Sequence, residues 1–386
     1  MNRILSTGQS SIVHPSNLPT SNGEAVLTAH EHIGFELGWD YAHYRVEPPA
    51  PYARQSSALR HGLLAGQAAF GKRCLVASPE VRRWLHLRLH AWLRGRSVEL
   101  FQVTPRYLQQ IESRFCPITR VELSSSTARD SDVSIDRVRN DAGYAAGNLA
   151  MMSTRANQAK GAHGFVDAMA FVRQLEDRPL LEIAGLGSAA WRRIAVLCSF
   201  VEPMAHADAC TLPLLVMPPR RLHLFNPVQA LQLVISGQLL RPGWSQRSRA
   251  FEALLQGSAQ RRAYQAFFHA LLPRVLEAVA PPVRQARTDH DVQQIRWAIE
   301  DAWCNRQVLR CWSTFARLLD AGICESLLAQ IDERKLAPLR SAAFSDAQAT
   351  EGWNLPSRGY VPHAVLMRRT PARNQPVPVE QGCLPL

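Results

Sequence analysis

Val133-Ser134-Ile135-Asp136-Arg137-Val138 is followed by Asn140-Asp141-Ala142-Gly143-Tyr144-Ala145-Ala146-Gly147-Asn148-Leu149 and by Ser153-Thr154-Arg155-Ala156-Asn157-Gln158-Ala159-Lys160-Gly161. The reading of this stretch decides the fold. Residues 134–138 alternate in character as a strand does, and polar Ser-rich and Asn-Asp segments bound them. Alternation places Asp136 and Arg137 on opposite faces. Gly143 and Gly147 let the next loop turn tightly. From Leu149 or Ser153 to Lys160 the residues suit one or two helical turns, with Asn157 and Lys160 sharing a face at i, i+3. Strand, glycine loop and helix in this order place an Asp and an Asn where they can converge on one cation.

Taken singly, these residues have plainer readings. Asp136 suits a strand-end carboxylate paired with Arg137 or Arg139, Asn148 a helix N-cap, and Asn157 an exposed helix polar residue. Jointly, the order S-x-D-R, G-Y-x-x-G-N and R-x-N-x-x-K resembles the HNH, or ββα-metal, endonuclease superfamily, in particular its phage- and bacterial-type members. The resemblance covers residues 116–161 and is silent on the C-terminal half. It implies that Asp136 is the strand metal ligand, Asn148 the central Asn that fixes the loop, and Asn157 the helix ligand. Lys160 would contact phosphate, with Arg155 and Arg139 as further nucleic-acid contacts. One Mg²⁺ or Mn²⁺ ion suits such oxygen donors. The implied activity is hydrolysis of DNA phosphodiester bonds.

Two departures from that pattern matter. Arg137 stands where the family's general-base His is expected, and a guanidinium stays protonated. It suits a clamp on phosphate oxygen or on developing charge, so Arg137 and Asn148 are the candidates for the catalytic set. His61, His86, His90 and His163 are the other conceivable bases. Cys116 has Thr119 and Ala156 where a zinc knuckle would have further cysteines, so no structural zinc is expected. The alternatives are a catalytically inactive, nuclease-derived nucleic-acid-binding protein and a helical scaffold.

Composition agrees with a polyanionic partner: 44 basic against 32 acidic residues give +12. DNA is the expected partner ahead of RNA. Lysine occurs only at 72, 160 and 335, so an arginine-biased composition is the plainer source of the charge. Eight cysteines without paired spacing point to reduced thiols and a cytoplasmic location. The longest apolar runs, such as Leu212–Met217, fall far short of the ~20 residues of a membrane helix, so no membrane partner is expected.

The expected fold is an α+β N-terminal domain with a ββα-metal core, followed by a mostly α-helical domain. Residues 1–24 read as a flexible leader, 25–178 as the HNH-like domain, 179–348 as the helical domain and 349–386 as a disordered tail. Glu31 to Gly71 reads as Gly- and aromatic-rich turns followed by a helical stretch at 59–70. Ser78-Pro79-Glu80 opens a helix that Gly95 ends. Its Arg82, Arg83, His86, Arg88 and Arg94 form a solvated basic face or a phosphate-tracking surface. A helix is expected from Asn226-Pro227 to Gly237, and one long helical stretch from Thr288 to Ala321.

Overall fold

The computed structural model describes residues 28–54, 57–177, 181–278 and 289–336, together with Trp353. The expected leader lies outside these residues, as does the expected tail apart from Trp353. The described chain is mostly helical with one small sheet. Helices α1 (Ala29–His43), α2 (Ala50–Arg54), α3 (Ala58–Phe70), α4 (Pro79–Leu93) and α5 (Pro105–Gln110) precede the antiparallel strands β1 (Val133–Arg137) and β2 (Leu149–Ser153). Then come α6 (Thr154–Lys160), α7 (Phe165–Asp177), α8 (Ser188–Val201), α9 (His206–Ala209), α10 (Pro227–Gly237) and α11 (Trp244–Glu252). The last four are α12 (Ser258–Ala278), α13 (Asp289–Ala302), α14 (Arg306–Ala316) and α15 (Ala321–Glu333).

The turns expected after Glu31 are instead helix α1. Thr28 opens it with a capping box: its hydroxyl accepts from Glu31 N–H while Glu31 accepts from Thr28 N–H. Its glycines serve packing rather than turning. A Cβ on Gly38 would lie 1.9 Å from Leu59 O, and one on Gly62 would lie 1.8 Å from Phe35 O, so α1 and α3 touch backbone to backbone. Gly62→Ala therefore reverses the usual sign of a helical Gly→Ala change. Propensity favours alanine by about 1 kcal/mol, yet forcing the helices apart costs about 1–3 kcal/mol or more. Thermal unfolding should show a lowered Tm; a raised one would disprove the close seam.

Helix α4 is a shared wall. Val81, Leu85 and Leu89 pack with Leu37, Tyr41 and Leu59, whereas Leu87 and Ala91 pack with Tyr107, Leu108 and the strand residues Val133, Ile135, Leu149 and Met151. The other face of the hairpin contributes Ala150 and Met152 to the largest cluster. That cluster takes in Ala156 and Ala159 of α6, Trp191 and Ile194 of α8, and residues as far as Ile331. The core is thus continuous across the boundary expected at 178/179. Arg120 adds a polar link, bonding Asp301 at 2.7 and 2.9 Å and Glu300 at 3.0 Å.

The long helix expected from Thr288 to Ala321 is two helices. Asn305 breaks it by capping α14, its side chain accepting from Gln307 N–H at 2.9 Å and Val308 N–H at 3.4 Å. Trp303 and Trp312 are buried packing residues on either side of the break. No helix among the described residues is long and apolar enough to cross a membrane.

Candidate functional site

Register explains how the hairpin and α6 come together. Ser134 pairs with Met152 and Asp136 with Ala150, so these four share one face. Helix α6 follows β2 directly, capped by Ser153 Oγ accepting from Ala156 N–H. Its i, i+3 pair then meets the two polar residues of β1 one to one. Asn157 Nδ2 donates to Ser134 Oγ at 2.7 Å. Lys160 Nζ donates to Asp136 Oδ1 at 3.3 Å and to Arg137 O at 3.1 Å.

Lys160 is 0% and Asp136 4% exposed. Asp136 Oδ2 lies 3.0 Å from the ammonium but accepts no hydrogen bond with good geometry. Burial pushes the Asp136 carboxyl above its usual range, while the Lys160 and Arg137 charges pull it down. Lys160, expected at a backbone phosphate, is therefore placed beneath α6 with its charge spent on Asp136.

Arg137 and Asn148 organise the loop between the strands. Asn148 is fully buried; its Oδ1 accepts from Arg139 N–H at 2.8 Å, and its Nδ2 donates to Arg139 O and Gly143 O. It staples the loop and caps no helix. Arg137 Nη1 donates to Asn140 O at 3.1 Å and Ala142 O at 3.0 Å, and the guanidinium sits over the Tyr144 ring. Gly147 has φ +86°, and a Cβ there would strike the His223 ring at 2.4 Å. Trp353 closes this side, donating to Ala146 O at 2.9 Å and stacking on His223.

The loop also recruits the end of α4. Tyr144 N–H donates to Ser97 O at 2.8 Å, and Glu99 N–H donates to Tyr144 O at 3.0 Å. That stitch places Arg94 and Arg96 beside β1. A cleft of about 40 Å³ results, lined by Arg94, Arg96, Ile135, Asp136, Arg137, Asn140, Tyr144 and Asn157. It holds roughly three water-sized occupants at about 10–15 Å³ each. Side chains from both faces of β1 line it, so it sits on the strand edge away from β2.

The basic face read on α4 is divided. Arg83 pairs with Glu112 at 2.7 Å, and buried Arg88 pairs with Asp40, whereas Arg94 reaches the cleft. Arg96, Asn140 and Tyr144 complete the lining and were not legible as site residues, because only the loop stitch brings them there. Arg155 and Arg139 turn elsewhere: Arg155 bonds Gly185 O and faces Glu182, and Arg139 grips Asp141 at 2.7 and 2.8 Å.

None of the candidate histidines lines the cleft. His86 and His90 face one another with Nε2 atoms 3.1 Å apart, and burial lowers both, His90 to about 4. His163 packs against Phe171 and Trp191 and faces Asp167 at 3.6 Å. His61 lies exposed on α3.

The donor set does not fit a divalent ion as arranged. Asp136 and Asn157 share the cleft, but the one carboxylate is already neutralised at 3.0 Å by an ammonium. Hard cations need about six oxygen ligands, commonly with one or two carboxylates free to serve. Among the described residues no group of three or more His, Cys, Asp and Glu side chains could hold a metal. What the cleft offers is cationic: three guanidinium groups face one carboxylate that already has its partner. Compared with family models, curated proteins and solved structures, the chain matches none.

Proposed function

We propose that this protein binds the nucleic-acid backbone through a nuclease-like hairpin and helix, with DNA as its partner, and that the cleft holds phosphate without cleaving it. The observation that carries the reading is the Lys160–Asp136 pair. It removes the carboxylate from metal duty in a cleft whose lining also includes the arginines Arg94, Arg96 and Arg137. Arginine at a base position supports binding for the same reason: it donates charge-assisted hydrogen bonds and accepts no proton from water. Arg137 keeps Nε and Nη2 without partners among the described residues, whereas Nη1 holds the loop.

The test uses the full chain and a fluorescent DNA duplex. Anisotropy should report binding that is indifferent to EDTA, and plasmid should remain intact in Mg²⁺ or Mn²⁺. Arg94→Ala should weaken binding about tenfold, a change of about 1.4 kcal/mol. Arg137→Lys, which keeps the charge, should weaken it less than Arg137→Ala. Metal-dependent nicking that disappears in Asp136→Ala would replace this reading with a metal-dependent endonuclease.

A further inference from the structure

The second basic feature lies far along the chain, on the outer face of α14. Arg306, Leu309, Arg310, Ser313, Thr314 and Arg317 recur at helical spacing and, with Thr211, line an open groove of about 510 Å³. The opposite face of the same helix buries Val308, Trp312, Phe315 and Ala316, so packing fixes which way the arginines point.

Some exposed arginines in the described structure find carboxylates, such as Arg114 with Glu122, Arg155 with Glu182 and Arg192 with Glu176. Others, such as Arg262 and Arg274 on α12, form no ion pair among the described residues and line no shared groove with one another. Arg306, Arg310 and Arg317 have no carboxylate partner among the described residues, and none lines the groove. The nearby carboxylate of Asp320 is engaged in capping α15, accepting from Ile323 N–H at 2.7 Å.

We infer that this α14 groove is a second nucleic-acid contact that tracks the sugar-phosphate backbone of a duplex. Spacing favours a chain of phosphates over a single one. At 1.5 Å per residue the three arginines are strung over about 16 Å, in steps of about 6 and 10 Å. A lone phosphate would need converging guanidinium groups instead. The lining chemistry favours a duplex over a single strand: the groove has arginines, hydroxyls and one leucine but no aromatic ring on which unpaired bases would stack. Contacts of this kind carry no base information, so binding here is independent of sequence. The inference stands apart from the β1 cleft and survives if that cleft binds nothing.

The test is anisotropy of a fluorescent DNA duplex with the full chain across a salt series. The variant R306Q/R310Q/R317Q should weaken binding at least tenfold. It should also reduce the slope of log affinity against log salt by about 3, near 0.9 for each lost phosphate contact. R306K/R310K/R317K should recover most of the affinity. The charge-matched control R262Q/R274Q/R334Q, on exposed positions elsewhere, should bind as the parent does. Equal weakening by both glutamine triples would assign the effect to bulk charge and overturn the groove, as would parental binding by the α14 triple. Loss of binding to anionic vesicles or to a phosphopeptide, with duplex binding intact, would also overturn it. Arg94→Ala, measured in parallel, reports on the β1 cleft alone.

Discussion

Lys160→Met is expected to cost about 3–5 kcal/mol, the range for removing one partner of a buried ion pair. The cost arises because Asp136 stays behind, buried, with its Oδ2 already lacking a good hydrogen bond. Removing both charges with K160M/D136N should restore most of the loss, since a neutral amide of the same shape leaves no uncompensated carboxylate. Urea unfolding measures all three proteins. A K160M value within 1 kcal/mol of the parent at neutral pH would show that Lys160 does not neutralise Asp136.

The pH dependence follows from the same pair. The folded value of Asp136 is raised above the ordinary 3.8. As pH rises through that window the unfolded chain sheds its proton first, so the native state binds more protons and this group's contribution to stability falls. The parent should therefore lose stability relative to Asp136→Asn as pH climbs from about 4. Lys160→Met should carry that loss to higher pH.

The second large effect concerns Trp312. Its ring is fully buried among Phe267, Trp303 and Phe315, with ring centroids 5.2, 5.5 and 5.9 Å away. Trp312→Ala should cost about 3–5 kcal/mol through lost burial and a residual cavity. Trp312→Phe should cost clearly less than the area alone suggests. Its Nε1–H has no hydrogen-bond partner among the described residues, so the smaller ring removes an unsatisfied donor along with some packing. Differential scanning calorimetry ranks the three. A Trp312→Phe loss as large as the lost area implies, or larger, would mean that the indole nitrogen has a partner after all.

Strand β1 and α6 were legible because two short periods determine them. Strand β2 was not: Leu149 to Ser153, open to reading as the start of the helix, is a strand paired with β1, and the helix begins at Thr154. Alternation fixed the shared face of Ser134 and Asp136, and the three-residue step fixed that of Asn157 and Lys160. What the periods cannot convey is that these two faces meet. Burial of Lys160 depends on neighbours remote in sequence, such as Cys198 of α8, whose Sγ lies 4.0 Å from Val138 O and whose thiol burial pushes up to about 12. Helix α1 was misread because glycine serves both turns and close helix contacts, and only the position of α3 shows which. The break at Asn305 was within reach, since Asn at an N-cap is a local signal. Nothing local announced Arg96, which enters the cleft through the backbone pairing of Ser97 and Tyr144.

The bond between Arg120 and Glu300 joins positions 180 residues apart, and it has a consequence in time. A ribosome adds about 5–20 residues per second, so about 10–40 s separate the appearance of these two partners. Contacts of such long range also form slowly in a complete chain, because their loops must close before the contact is gained. During that interval β1, β2 and α6 are already made, while much of the cluster they pack into is not. The Arg120 link is thus completed only when α13 arrives. A mutation that slows docking of that helix would delay closure of the large cluster without touching any residue of the cleft.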